Sequence, residues 1–376
     1  MSRTMRTLPL LVVLLIVGCT DNAAPHGANF ASVTGLFVAS CGHTEHEFRC
    51  WGNLSDLFGQ AGSQAPVRLA APYGSLQSVA TSGSEGCGLD VAGALYCWGF
   101  GSPYAAVAPD LRFSQVVVGQ AHRCALATGG TLYCWGATDY SGVDPANPTI
   151  RDCSPTPLYA YSCVPFPQPV AGNERFKAVS VGYYHTCALT EGGQVLCWGE
   201  GAVGQIGQGP DSNYSRVPHP ISSPDRFSGV ASAAWHSCAV STASRVLCWG
   251  SNYSGEIGTG SAVAENYTPA PISVPATISM KSVALGEAHS CALDASGAAW
   301  CWGTAGIGTG APSSPLPALV LGRLTFRSLG AGSDFTCGVS DTGAWCWGAN
   351  NYGQLGNGST TESPIPVRVA NQDQFD

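Results

Sequence analysis

The sequence predicts an all-β protein, a closed ring of seven repeated sheet units. Three observations carry this. First, one motif, roughly F-x-x-V-x-x-G-x-x-H-x-C-A-L-x-x-x-G-x-x-x-C-W-G, opens at Phe30, Leu76, Phe113, Phe176, Phe227, Met280 and Phe326. Its period averages about 49 residues, and an eighth opening, Phe375, falls in phase with the first, as a ring requires and an open stack does not. Second, the composition suits short strands joined by turns: charged residues are 11%, with 48 Gly and 25 Pro. Third, the 17 cysteines divide into one near the N-terminus and sixteen in local pairs.

Residues 1–18 read as a leader. Arg3 and Arg6 precede an apolar run, Leu8–Val17, about half the length that spans a bilayer. The run ends in Ile16-Val17-Gly18-Cys19, which resembles a bacterial lipobox. Cleavage before Cys19 would make that cysteine the acylated N-terminus, with 19–29 a flexible polar tether. An ordinary secretory leader is the alternative.

From residue 30 to 376 the repeats form a single domain. Each contains a cysteine pair: Cys41/Cys50, Cys87/Cys97, Cys124/Cys134, Cys187/Cys197, Cys238/Cys248, Cys291/Cys301 and Cys337/Cys346. The hairpin from Cys291 to Cys301 shows why they can bond. A three-residue loop ending in Gly, Ala295-Ser296-Gly297, sets Asp294 opposite Ala298 and therefore Cys291 opposite Cys301. Opposed residues lie about 4.5–5.5 Å apart, within disulfide range. Gly93, Gly130 and Gly193 hold the same loop position, Ser244 replaces the glycine in the fifth unit, and the first and last hairpins, one residue shorter, need another turn. An even cysteine set behind an export signal implies disulfides in an oxidising compartment. The spacing lacks the C-x₂-C knuckles of zinc sites, so no metal is expected. Strand alternation puts Cys, Leu and His on one face and Trp and Ala on the other, so both faces are mostly apolar, as in sheets sandwiched radially between neighbours.

The third unit is lengthened to 63 residues by an insertion at 137–170 carrying the eighth pair, Cys153/Cys163. Its aromatic and acidic residues, Tyr140, Asp144, Asp152, Tyr159, Tyr161 and Phe166, are the candidate binding set, because a stapled aromatic loop loses little entropy on binding. A tolerated excursion, stapled because it lacks a core, is the alternative. At the end of the chain, Pro364–Ala370 matches the late strand of a unit, and Phe30–Trp51 supplies an early hairpin. The two are expected to pair in one mixed blade.

These units resemble the repeats of the regulator of chromosome condensation family. The likeness rests on Val179-Ser-Val-Gly-Tyr-Tyr-His185-Thr-Cys-Ala-Leu189 and Trp347-Gly-Ala-Asn-Asn-Tyr-Gly-Gln-Leu-Gly356, with further copies along 30–376. It implies a seven-bladed β-propeller of four-stranded antiparallel blades. Departures occur: Leu36 and Ala39 in the first unit, Ser82 and Glu85 in the second, Phe335 for His in the seventh, and a shortened Gly303–Gly310 segment in the sixth. The repeat-fixed tryptophans are Trp51, Trp98, Trp135, Trp198, Trp249, Trp302 and Trp347.

His122, His185, His236 and His289 recur a blade apart, too far to share one ion, and are read as structural, bonding to backbone between strands. Asp90, Glu191, Asp294 and Asp341 sit where turns are expected and read as turn scaffolds. No phosphate loop, nucleophile elbow or cofactor motif occurs. A net charge of −8, with two lysines, excludes a nucleic-acid footprint. The expected protein is therefore a monomeric, non-catalytic propeller without cofactors, lipid-anchored to a bacterial cell envelope at the outer membrane or cell surface. It would bind a protein partner there and could inhibit a secreted enzyme, as a related exported propeller does with a β-lactamase. A propeller that binds or cleaves envelope polysaccharide is the alternative. Guanine nucleotide exchange, the namesake activity, is remote for an exported chain.

Overall fold

The computed structural model describes residues 30–36, 38–44, 48–70, 72–83, 85–99, 102–153 and 162–370. The leader, Cys19, the tether, Tyr159 and Tyr161 lie outside the described residues. Seven antiparallel sheets follow one another along the chain, each with four strands in chain order, and the third gains a fifth, two-residue edge strand, Arg151–Asp152, from the insertion. Blade four is the template: Phe176–Val181, His185–Thr190, Val195–Glu200 and Tyr214–Pro220, paired in chain order. The first strands of the seven blades begin at Phe30, Leu76, Phe113, Phe176, Phe227, Met280 and Phe326, the seven motif openings. These strands run beside a central channel, where glycines let the chain approach closely. Among the described residues no helix is long and apolar enough to cross a membrane.

All eight cysteine pairs are bonded. The seven blade bridges are Cys41–Cys50, Cys87–Cys97, Cys124–Cys134, Cys187–Cys197, Cys238–Cys248, Cys291–Cys301 and Cys337–Cys346. The eighth, Cys153–Cys163, ties the insertion to blade three. In every blade the two partners sit directly opposite one another across the second and third strands. Their spacing corrects the expectation of about 4.5–5.5 Å. The Cα atoms are 4.0 Å apart for Cys41 and Cys50, 4.1 Å for Cys124 and Cys134, and 4.0 Å for Cys238 and Cys248. The other four blade pairs lie at 4.0–4.1 Å as well. The turn register gives the reason. Asp294 N–H donates to Ala298 O, so that pair is hydrogen-bonded. Counting outward by alternation, Cys291 and Cys301 fall at a non-hydrogen-bonded position, the narrow one of an antiparallel ladder.

Gly297 N–H donates to Asp294 O and completes the turn. The carboxylates of Asp90 and Asp294 each accept backbone N–H bonds from their own turns. Ser244 makes the same turn as its glycine counterparts but does so at φ 59°, a left-handed conformation that costs a side-chain-bearing residue about 1–2 kcal/mol. Ser244→Gly is therefore expected to raise stability by about 0.5–1 kcal/mol after the entropy of glycine is subtracted, measurable by urea unfolding. No change, or a loss, would show that the turn carries no strain.

Each bridge packs forward against the next blade. Cys41 and Cys50 cluster with Leu76 and Trp98 of blade two, and Cys87 with Phe113 and Trp135 of blade three. Cys124 and Cys134 cluster with Phe176 and Trp198 of blade four, and Cys187 and Cys197 with Phe227 and Trp249 of blade five. Cys238 and Cys248 meet Met280 and Trp302 of blade six, and Cys291 and Cys301 meet Phe326 and Trp347 of blade seven. The series closes on itself, because Cys337 and Cys346 cluster with Val33 and Trp51 of blade one.

That closure corrects another expectation. There is no mixed blade. Residues Phe30–Gly35, Ala39–Thr44, Phe48–Gly52 and Ser63–Arg68 complete blade one alone, and Ser363–Arg368 is the outer strand of blade seven. The repeat begins at an inner strand and finishes on an outer one, so the seam falls between two finished blades, where Phe30–Gly35 packs on the first two strands of blade seven. The seam is sealed by packing and hydrogen bonds. The first strands touch where Gly35 would place a Cβ 2.2 Å from the Ala331 carbonyl carbon. Trp51 Nε1 and Ser40 Oγ both donate to Gln354 O, at 2.9 and 3.0 Å, and Gly358 N–H donates to Gln64 O at 2.9 Å.

Candidate interaction face

Antiparallel blades put the connections between strands one and two, and between three and four, on one face of the ring. The remaining connections lie on the other. The strand three–four connections on the first face dip between blades and knit them together. The carbonyls of Leu57, Tyr140, Gln205, Glu256 and Gln354 accept the indole N–H of Trp98, Trp198, Trp249, Trp302 and Trp51 in the following blade.

The repeated histidines belong to the same lattice. Their partners are not backbone atoms, as expected, but hydroxyls of the next blade: His122 Nε2 lies 2.6 Å from Thr186 Oγ1, His185 2.9 Å from Ser237 Oγ, His236 2.9 Å from Ser290 Oγ, and His289 2.8 Å from Thr336 Oγ1. Those hydroxyls occupy the position between His (or Phe335) and Cys, which the sequence offers as H-[ST]-C but which carried no assigned role. Burial lowers the imidazoles from 6.5 to about 3 (His122, His185, His236) and about 4 (His289), so all four are neutral in the fold. An unfolded chain protonates them at about 6.5. Their contribution is therefore intact above pH 6.5 and is lost as pH falls towards 3 to 4, with up to four protons taken up on unfolding. His236→Gln is expected to cut the slope of unfolding free energy near pH 5 by about 1.4 kcal/mol per pH unit, read from urea melts between pH 7 and 5. An unchanged slope would mean that His236 is already charged in the ring.

At the centre of this face the strand one–two loops are chained by backbone bonds: Gln120 N–H to Tyr183 O, Tyr183 N–H to Ala234 O, and Glu287 N–H to Ser333 O. Four half-buried rings run across blades three to five. Tyr140 lies 5.3 Å from Tyr184, Tyr184 lies 5.7 Å from Trp235, and Trp235 lies 5.9 Å from Tyr183. The Tyr184 hydroxyl donates to Gln120 Oε1 at 3.0 Å. Tyr183 and Glu287 line the same channel mouth, and burial together with that carboxylate raises the Tyr183 pKa. Asp334 lies in the next loop, and its carboxyl is raised by burial and by the charge of Glu287. The Ser333 hydroxyl donates to Glu287 Oε2.

The insertion meets this face in part. The short helix Thr138–Ser141 sets the Tyr140 ring against Tyr184 and His122. Asp152 lines a cleft of about 550 Å³ with Asp139 and Arg216, which are ion-paired at 2.9 Å. Asp144 serves its own turn, accepting Ala146 N–H at 2.8 Å. Ser162–Pro169, inside the expected insertion, is blade three's own fourth strand, edged by Arg151–Asp152, and Phe166 on it is 65% exposed. The structure thus brings Tyr140 to the aromatic row and leaves Asp144 and Phe166 away from it. Tyr183, Tyr184 and Trp235 were missed in the sequence. They fill the variable places just before His, after Gly182 in blade four and after Ala233 in blade five, and only the ring brings the two blades together there.

Seven four-stranded blades around a glycine-lined channel define a β-propeller, with its loops presented on two faces. The RCC1-like domain matches residues 48–375, and the chain belongs to that family. Among curated relatives, the probable E3 ubiquitin-protein ligase HERC6 of Homo sapiens is 30% identical over 217 residues, covering 54% of this chain and 21% of that protein. The ultraviolet-B receptor UVR8 of Arabidopsis thaliana is 31% identical over 201 residues, covering 51% and 45%. The chain thus spans less than half the length of these relatives. Yeast RCC1 (Prp20), solved with Kap60, superposes with a TM-score of 0.70 at 20% identity over 97% of this chain and 92% of that one. The ectodomain of the Physcomitrella patens receptor kinase CR4 does so at 0.54 and 19%, over 85% and 74%. These likenesses show the fold.

Proposed function

We propose that this chain is a non-catalytic, protein-binding propeller, exported and held at a bacterial cell envelope by a lipid on Cys19, and that its working surface is the face carrying Tyr140, Tyr183, Tyr184 and Trp235. The observation that carries this is the row of half-buried rings across blades three to five, fixed by chained loop backbones. Aromatic residues on a rigid base supply contact area at little entropic cost. Eight disulfides fit an extracellular protein and give that base. The family offers precedent, since yeast RCC1 is solved with Kap60 bound, and Prp20p of Saccharomyces cerevisiae with binding properties to Gsp1p and histones. Inhibition of a secreted enzyme is one form such binding would take.

A second reading, recognition of envelope polysaccharide, is favoured by one observation: Glu287 and Asp334 stand beside Tyr183, on the face that holds the other rings. Photo-crosslinking in the native cell separates the two. A photoreactive residue at Tyr184 is expected to give a discrete protein adduct, and one at Gly192, in a hairpin on the opposite face, none. Equal labelling from both positions, or none from either, would remove the protein-binding reading. Binding on a glycan array that is lost in Trp235→Ala would replace it with the second.

A further inference from the structure

We propose that the channel mouth on this face receives a cationic side chain of the protein partner: a lysine or arginine from a basic segment enters beside Tyr183, Tyr184 and Trp235 and is held by Glu287 and Asp334. This rests on the protein-binding reading and specifies its chemistry.

The distribution of charge over the ring leads to it. Assigned by strand end and connection, twelve of the nineteen described Asp and Glu residues lie on the aromatic face, with only three of the fourteen described Lys and Arg. The opposite face holds the other eleven bases and seven acids. One face is thus strongly negative and the other mildly positive, a segregation that the net charge conceals and that steers a basic partner to one side of the ring. On the negative face, Arg123 is ion-paired with Glu85 and Arg216 with Asp139. No Lys or Arg among the described residues is ion-paired with Glu287 or Asp334.

Local chemistry agrees in sign. Ring faces attract a cation within about 6 Å, most strongly when it is partly desolvated. Tyr183 and Trp235 stand edge to face at 78°, so the cluster is angled and is not a flat platform for a sugar ring. Behind the mouth, the channel holds about 150 Å³ beside Tyr183, Glu287 and Ser333. At roughly 30 Å³ per water, that is space for one slender side chain or a few waters. Thr81 also lines it, and its buried hydroxyl has no partner within the protein. The carboxyls of Glu287 and Asp334, in the loops of adjacent blades six and seven, repel each other, which a bound cation would relieve.

The test titrates the mature full chain with hexaarginine and hexalysine peptides, using hexaglutamate and a neutral N-acetylglucosamine tetramer as controls. The basic peptides are expected to bind and to weaken as salt rises, while hexaglutamate does not bind. Glu287→Gln with Asp334→Asn is expected to weaken hexaarginine about tenfold or more, and Trp235→Ala about threefold to tenfold. Glu191→Gln with Asp341→Asn, on the opposite face, is expected to leave binding unchanged. Unaltered thermal melts show that each variant is folded, and Tyr183→Phe, which keeps the ring, is expected to retain most of the affinity. No binding of either basic peptide, equal loss in the opposite-face variant, or binding of the sugar alone would overturn the proposal. If crosslinks still form from position 184 in that event, the protein-binding reading stands with a different partner chemistry; if they do not, both fall.

Discussion

Reducing the disulfides is expected to unfold the propeller under conditions where the oxidised chain is fully folded. Each bridge closes a loop of 9 or 10 residues. Closing so short a loop stabilises by roughly 2.5–3 kcal/mol in the chain-entropy picture. Even at half that value per bridge, eight bridges reach about 10 kcal/mol, comparable with the whole net stability of a typical domain, about 5–15 kcal/mol. The blades cannot compensate with larger cores. Each sheet is small, and the cysteine pair sits at the centre of the inter-blade cluster, against the next blade's tryptophan.

Reduction should also be ordered. Most blade cysteines, Cys50, Cys134 and Cys248 among them, are fully buried, so a reductant reaches them only when blades part. The partly exposed ones are Cys97 among the blade cysteines and Cys153 in the insertion. We expect the Cys87–Cys97 and Cys153–Cys163 bridges to open first under dithiothreitol, with the other six opening together as β-structure is lost. Maleimide trapping with peptide mapping, followed alongside circular dichroism, reads both quantities. Rapid, uniform reduction with the β signal retained would show that the bridges contribute little to holding the ring.

Much of this architecture could be read from the sequence because the repeat states it seven times. The motif openings coincide with the strand starts, and counting outward from a Gly-ended turn was enough to set Cys291 against Cys301. The seam was not legible. Phase shows that a whole number of units closes the ring, but it cannot say whether the chain ends fall inside a blade or between two. Gly35 and Gly330 are ordinary glycines until the first strands of blades one and seven are seen against each other.

The histidine lattice was half legible. The H-[ST]-C pattern is visible at 185–187, 236–238 and 289–291, but that the hydroxyl faces the preceding blade's imidazole follows from how blades stack. The candidate face was least legible. Tyr184 and Trp235 are 51 positions apart in the chain, and their rings meet at 5.7 Å only because adjacent blades carry equivalent loops side by side. Charge segregation was hidden for the same reason: it appears once each residue is assigned to a strand end.

The whole reading depends on the ring being closed by the packing of its last blade on its first. Trp51 and Trp249 make this testable, since they are matched probes. Both are fully buried, both lie against the preceding blade's disulfide, and both donate Nε1 to a loop glutamine carbonyl at 2.9 Å, Gln354 for Trp51 and Gln205 for Trp249. One sits at the seam and the other between neighbours in the chain. A closed ring predicts that Trp51→Ala and Trp249→Ala each cost about 3–5 kcal/mol in urea unfolding and agree within about 1 kcal/mol. A Trp51→Ala cost near zero beside a full cost at Trp249 would show an open array, with blade one and blade seven apart.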